Sequence, residues 1–147
     1  EVGNYAFVRV VESQAMDSDK IVFVDATAMA RSLEGSGRVA LYGILFATDK
    51  ADIQPASRPT LDEMVKLMRN QPQLKLQVVG HTDNQGGEAH NKDLSQRRSV
   101  AVVAALVQAG VDPRRLTHRG AGLAEPVAPN DSDAGRAKNR RVELVKQ

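Results

Sequence analysis

Two opposite charges, Asp83 and Arg98, lie in the stretch Gly80–Arg98, GHTDNQGGEAHNKDLSQRR. That stretch reads as a strand end, a glycine-bearing loop and the beginning of a helix. An anion and a cation at the mouth of one strand–loop–helix unit suit a receptor for a zwitterion. The helix is expected to carry Leu94, Ala101, Val102, Ala105, Leu106 and Ala109 as an apolar stripe. Arg98 falls in that stripe and near the expected helix start, where the macrodipole disfavours a cation. A partly buried guanidinium needs an anion, because an unpaired charge away from water is costly. Asp83 can be that anion. So can a ligand carboxylate, which a helix N-terminus also favours. The plainer alternative is an internal Asp–Arg pair that only fixes the loop, and the residues alone leave both open.

Other chemistries fit less well. His81 and Asp83 are two apart on an expected strand and would share a face. His-x-Asp can ligate a metal, with His90 and His118 at hand, so a metal-dependent hydrolase is the enzyme alternative. No second acidic–histidine cluster has ligand spacing. There is no Gly-x-Ser-x-Gly elbow, and Ser95 reads first as a helix N-cap or first-turn residue. Gly35-Ser-Gly37 precedes a strand, whereas a dinucleotide fingerprint follows one. No catalytic residue, metal or cofactor is therefore expected.

The 147 residues form one domain, or one domain with an extension, and the 41% hydrophobic content can supply its core. Aromatics are only 3%, so aliphatic side chains must do the packing. The net charge is +2, with basic residues spread out apart from Arg97–Arg98 and Arg140–Arg141. With few rings to stack bases, nucleic acid is not expected as a partner. The absence of cysteine removes disulfides and thiolate metal sites. No apolar run reaches the about 18 residues of a membrane span. The chain begins at Glu1 and reads as a processed or trimmed piece, with any anchor expected upstream.

Two short β-like runs, Tyr5–Val11 and Ile21–Val24, open the chain. Asp25 caps a short helix over 26–33, stopped by Gly35 and Gly37. Val39–Phe46, almost wholly apolar, suits a strand covered on both faces. Ser57 and Pro59 open a helix striped by Leu61, Met64, Val65 and Met68 that ends before Pro72. Leu74–Asp83 is the next strand, and the long helix then runs to Gly110. Leu116–Gly120 is a third strand, residues 121–138 a loop, and Arg141–Lys146 the last strand. The expected class is α/β, a β-α-β-α-β-β core with its helices packed on one mixed sheet, an α/β sandwich. The division expected is an N-terminal extension, residues 1–38, and a core domain, residues 39–147.

Four motifs in order resemble the OmpA C-terminal-like family, which includes the peptidoglycan-associated lipoprotein and the periplasmic part of flagellar stators. They are Gly80-His-Thr-Asp83; Asn91-x-x-Leu94-Ser95-x-x-Arg98-x-x-x-Val102; Gly120-x-Gly122; and Gly135-Arg136-x-x-Asn139-Arg140-Arg141-Val142-Glu143. The match covers about residues 39–146. The resemblance implies an OmpA-like sandwich and non-covalent binding of peptidoglycan through the diaminopimelate of its stem peptide. It implies that Asp83 faces the ligand ammonium and Arg98 holds a ligand carboxylate. Phe46 to Thr48 would line the pocket, Thr82, Asn91 and Leu94 complete it, and Arg140 add a contact. Asn139 and Arg141 are either further contacts or structural. Ala47 departs from the family, which often has Asp or Asn there, and this weakens at most a hydrogen bond at the pocket edge. The implied setting is the periplasm, tethered to the outer membrane through an anchor outside this chain. A third reading is an envelope interaction domain whose N-terminal segment binds a partner or pairs with itself as a homodimer.

Overall fold

A computed structural model describes residues 23–147. Tyr5–Val11 and the first residues of Ile21–Val24 lie outside that range, and residues 23 and 24 are not in a strand. The order is α1 (Ala26–Ser36), β1 (Arg38–Leu41), α2 (Arg58–Asn70), β2 (Leu76–His81), α3 (Glu88–Gln108), β3 (Leu116–Gly122), α4 (Asp133–Asn139) and β4 (Arg141–Lys146). The four strands form one mixed sheet ordered β1-β4-β2-β3. β4 runs antiparallel to both β1 and β2, and β2 is parallel to β3. The α/β class and the single mixed sheet are as expected.

One face of the sheet is apolar. Val39, Leu41, Leu76, Val78, Val142 and Leu144 alternate inward on their strands, as the period of two demands. They meet Met64, Leu67 and Met68 of α2 and Val102 and Leu106 of α3 in one cluster. α1 belongs to that cluster too. Asp25 accepts from the Ala28 N–H to start it, Gly37 in the left-handed region (φ 82°) ends it, and Met29 and Leu33 are buried. Its first amide, Ala26 N–H, donates to Glu63 of α2 at 2.9 Å. α3 lies very close to β2 and β3. A Cβ on Gly80 would sit 2.5 Å from the Ser95 carbonyl oxygen, and one on Gly120 2.4 Å from the Gln96 nitrogen.

Four expectations need correction. The apolar run from Val39 does not stay in the sheet to Phe46. The strand ends at Leu41, because the Leu45 N–H donates to the Ser57 hydroxyl (2.7 Å) and Gly43 presses against Thr60, drawing the chain to the start of α2. α3 begins at Glu88, with Gly87 as its N-cap, so Arg98 lies well inside the helix and the macrodipole gives no reason for it to need an anion. Ser95 is consequently no cap. It is fully buried, donates to the Lys92 carbonyl and accepts from the Gly122 N–H at 2.8 Å. Residues 121–138 are not all loop: Ser132 accepts from the Gly135 N–H and starts α4, whose first turn holds Asp133.

Candidate functional site

The candidate site lies where β2 ends and β4 begins. β2 stops at His81, and the chain turns through Thr82–Gly87 into α3. Asp83 is 6% exposed, and one carboxylate oxygen accepts from the Gln85 N–H at 2.9 Å, an Asx turn. Its other oxygen accepts from Arg140 Nη1 at 2.6 Å. Thr82, also buried, donates its hydroxyl to the Asp83 carbonyl. Asn91 Nδ2 donates to the Gln85 carbonyl at 2.8 Å, closing the loop onto α3. Leu94 is buried behind it.

Arg98 faces the turn that follows β1. Its Nε donates to the Lys50 carbonyl at 2.8 Å and its Nη2 to the Ala47 carbonyl at 3.2 Å. Residues 47–50 form a turn closed by Lys50 N–H to Ala47 C=O, with Asp49 in the left-handed region (φ 60°) that aspartate tolerates better than most residues. The guanidinium carbon lies 4.8 Å from the Phe46 ring centroid, a cation–π contact. Two carbonyls and one ring fix the plane of the cation, and Nη1 has no partner among the described residues. Burial lowers the Arg98 pKa from its ordinary value and the charge of Arg97 adds to this, while Asp49 and Asp83 oppose it. Asp83 is thus near enough to act on Arg98 through its field, yet no hydrogen bond joins them. The internal Asp83–Arg98 pair, one of the two readings left open above, is not formed, and Asp83 pairs with Arg140 instead.

Position 47 serves through its backbone carbonyl, which any residue supplies, so Ala47 forfeits nothing in holding Arg98. Thr48 is exposed on the same turn. Sequence reasoning missed the Lys50 carbonyl and Asp49, whose carboxylate lies 3.3 Å from His90 Nε2 across the mouth. The available signal was Thr48-Asp49-Lys50 itself, a polar turn with an aspartate suited to positive φ.

The three residues at the entry to β4 divide their work. Asn139, fully buried, accepts from the Val127 and Ala128 N–H groups and donates to the Ala128 carbonyl and Asn130. Arg141, 5% exposed, donates to Glu143 (2.6 Å) and to the Glu125 and Asn139 carbonyls. Both hold the 125–130 loop against the sheet. Arg140, between them, projects to the site with its side chain half exposed.

His81 does not join Asp83. β2 has ended before Asp83, so the alternation argument fails. The imidazole lies on the polar face of the sheet, 3.8 Å from Glu143, with neither ring nitrogen hydrogen-bonded. Burial first, then the Arg141 charge, lower its pKa to about 4. Burial works to raise the Glu143 carboxyl, but the hydrogen bond and charge of Arg141, with Arg38, hold it below its usual range. Among the described residues no group of three or more His, Cys, Asp or Glu converges as metal ligands. No helix among them is long and apolar enough to cross a membrane.

Residues 45–140 match the OmpA family, and the chain belongs to that family. It is 43% identical over 100 residues to outer membrane porin F of Pseudomonas fluorescens, covering 68% of this chain and 31% of that one. The matched stretch accounts for 31% to 61% of the length of four curated relatives. Among solved structures, it resembles the peptidoglycan-associated lipoprotein of Burkholderia pseudomallei (TM-score 0.65, 31% identity, 71% of this chain and 88% of that one). It also resembles the cell wall anchor of the T6SS of Pseudomonas aeruginosa (TM-score 0.66, 29% identity, 83% and 96%).

Proposed function

We propose that this domain binds peptidoglycan non-covalently through the diaminopimelate of the stem peptide and acts as an anchor rather than an enzyme. Arg98 takes a ligand carboxylate and Asp83 the ligand ammonium. Phe46, Thr48, Thr82, Asn91 and Leu94 form the surrounding wall, and Arg140 borders it beside Asp83. The observation that carries the reading is Arg98. Its guanidinium is oriented by two carbonyls and the Phe46 ring, and no carboxylate lies within ion-pair distance among the described residues. A cation held in place without an anion is prepared for one from outside, and Nη1 and the second Nη2 proton offer an end-on fork to a carboxylate. The names of the lipoprotein and the T6SS anchor support the same partner. Relatives include outer-membrane proteins, which supports a periplasmic setting with tethering through an anchor outside this domain.

A single zwitterion site in a wet groove binds weakly, on the order of micromolar to millimolar. The wall repeats its ligand, so tethered copies gain by effective concentration. The test is a pull-down with protein-free sacculi, comparing the parent with Asp83→Ala and Arg98→Ala, each verified as folded by circular dichroism. Each variant is expected to lose about 2–5 kcal/mol of binding, the range for stranding one partner of a desolvated charge pair. Folded variants retained as well as the parent would refute the reading.

A further inference from the structure

We propose that Arg140 is an internal stand-in for the ligand's ammonium: it pairs with Asp83 and must leave when ligand enters. The inference rests on the zwitterion-binding reading above and concerns how that site discriminates.

Asp83 is nearly buried, so its carboxylate needs a cation at all times. Arg140 Nη1 supplies one at 2.6 Å. The other Asp83 oxygen accepts from the Gln85 N–H, and with the residue only 6% exposed the half-exposed Arg140 side chain stands where a second cation would approach. A ligand ammonium therefore has to reach the oxygen that Arg140 now holds. Arg140 is suited to let go. Its side chain is 50% exposed, and Asp83 is its one side-chain partner among the described residues. It sits at the C-cap of α4, outside both the helix and the strand, between Asn139 and Arg141, which are locked in place. Its side chain can swing to water without disturbing either element. Arg98 contrasts with it: two carbonyl bonds and a ring hold that cation where it is, so the carboxylate half of the site is fixed and the ammonium half is exchangeable.

The exchange confers selectivity. Asp83 is already neutralised by Arg140, so a simple amine must expel that cation with no contact to Arg98 to help it. A ligand carrying a carboxylate and an ammonium at the right separation is attracted first by Arg98, and its ammonium is then presented to Asp83 at high local concentration. Affinity is reduced by the fraction of time Arg140 leaves Asp83 open. If that fraction is about one tenth, removing Arg140 tightens binding about tenfold.

The experiment measures binding of free meso-diaminopimelate by calorimetry to the parent, Arg140→Ala, Arg98→Ala and Asp83→Asn. Arg140→Ala is expected to bind about tenfold more tightly, and to melt lower than the parent without ligand because Asp83 is left unpaired. Unchanged or weaker binding by folded Arg140→Ala, with Arg98→Ala and Asp83→Asn both losing binding, overturns the displacement and leaves the site reading standing. Undiminished binding by Arg98→Ala and Asp83→Asn overturns both. If Arg140→Ala does not fold, nitrogen-15 spectra of the parent's guanidinium groups decide. Diaminopimelate is expected to release the hindered rotation of Arg140 while Arg98 stays hindered. An Arg140 signal still locked at saturating ligand overturns the proposal.

Discussion

Lowering the pH should destabilise this domain well before its carboxylates titrate, through His81. The imidazole is buried on the polar face of the sheet, and its pKa is lowered to about 4, chiefly by burial and then by the Arg141 charge. In the unfolded chain a histidine titrates near 6.5. Between those values the unfolded state binds a proton that the folded state refuses, so stability falls as pH falls. Linkage over that window gives a loss of about 2 kcal/mol from pH 7 to 5 and about 3 kcal/mol by pH 4, at about 1.4 kcal/mol per unit. Glu143, held below its usual range, adds a loss of the same sign at lower pH, as its Arg141 and Arg38 contacts fail. Urea unfolding followed by circular dichroism, repeated from pH 7.5 to 5, reads the slope. His81→Leu removes the titrating group along with two ring nitrogens that have no partner. Its stability should be flat where that of the parent falls. Equal slopes in parent and variant between pH 6.5 and 5 would refute the assignment.

Gly120→Ala should unfold the domain or cost at least about 3 kcal/mol in a denaturant titration, because the new methyl meets α3 backbone 2.4 Å away, where no side chain can yield. Asn139→Ala strands two amides and a carbonyl of the 127–130 loop, and a loss of about 2–4 kcal/mol with faster hydrogen exchange at Val127 and Ala128 is expected. Met29→Ala should lower stability by about 2–5 kcal/mol, as for a fully buried side chain, if α1 folds as part of this domain; a silent substitution in a melting experiment would count against that.

Sequence periodicity located the sheet and the long helices because their residues alternate or stripe cleanly. Leu76 and Val78 declare β2, and Met64 and Met68 declare α2. It failed where contacts remote in sequence decide. Nothing local in Val39–Phe46 announces that Ser57 and Thr60 will draw the chain away from the sheet. The start of α3 was misplaced because Gly87 caps it without a side chain, while Ser95 has the chemistry of a cap but a buried job. Both charges proposed for the site were legible, Asp83 and Arg98, yet their partners were not. Arg98 is held by main-chain carbonyls, which no residue type reveals, and Asp83 is met by a residue 57 positions away. Arg140, Asn139 and Arg141 look alike as a polar run; only burial separates the one that faces the mouth from the two that staple a loop.

Asp83 follows the end of β2 and Arg140 precedes β4, and these two strands are the antiparallel pair at the centre of the sheet. Because these strands run antiparallel, the end of one and the start of the other meet at the same end of the sheet, with His81 opposite Arg141. The Asp83–Arg140 contact is therefore set by strand register, and a slip of one strand past the other would part the two groups.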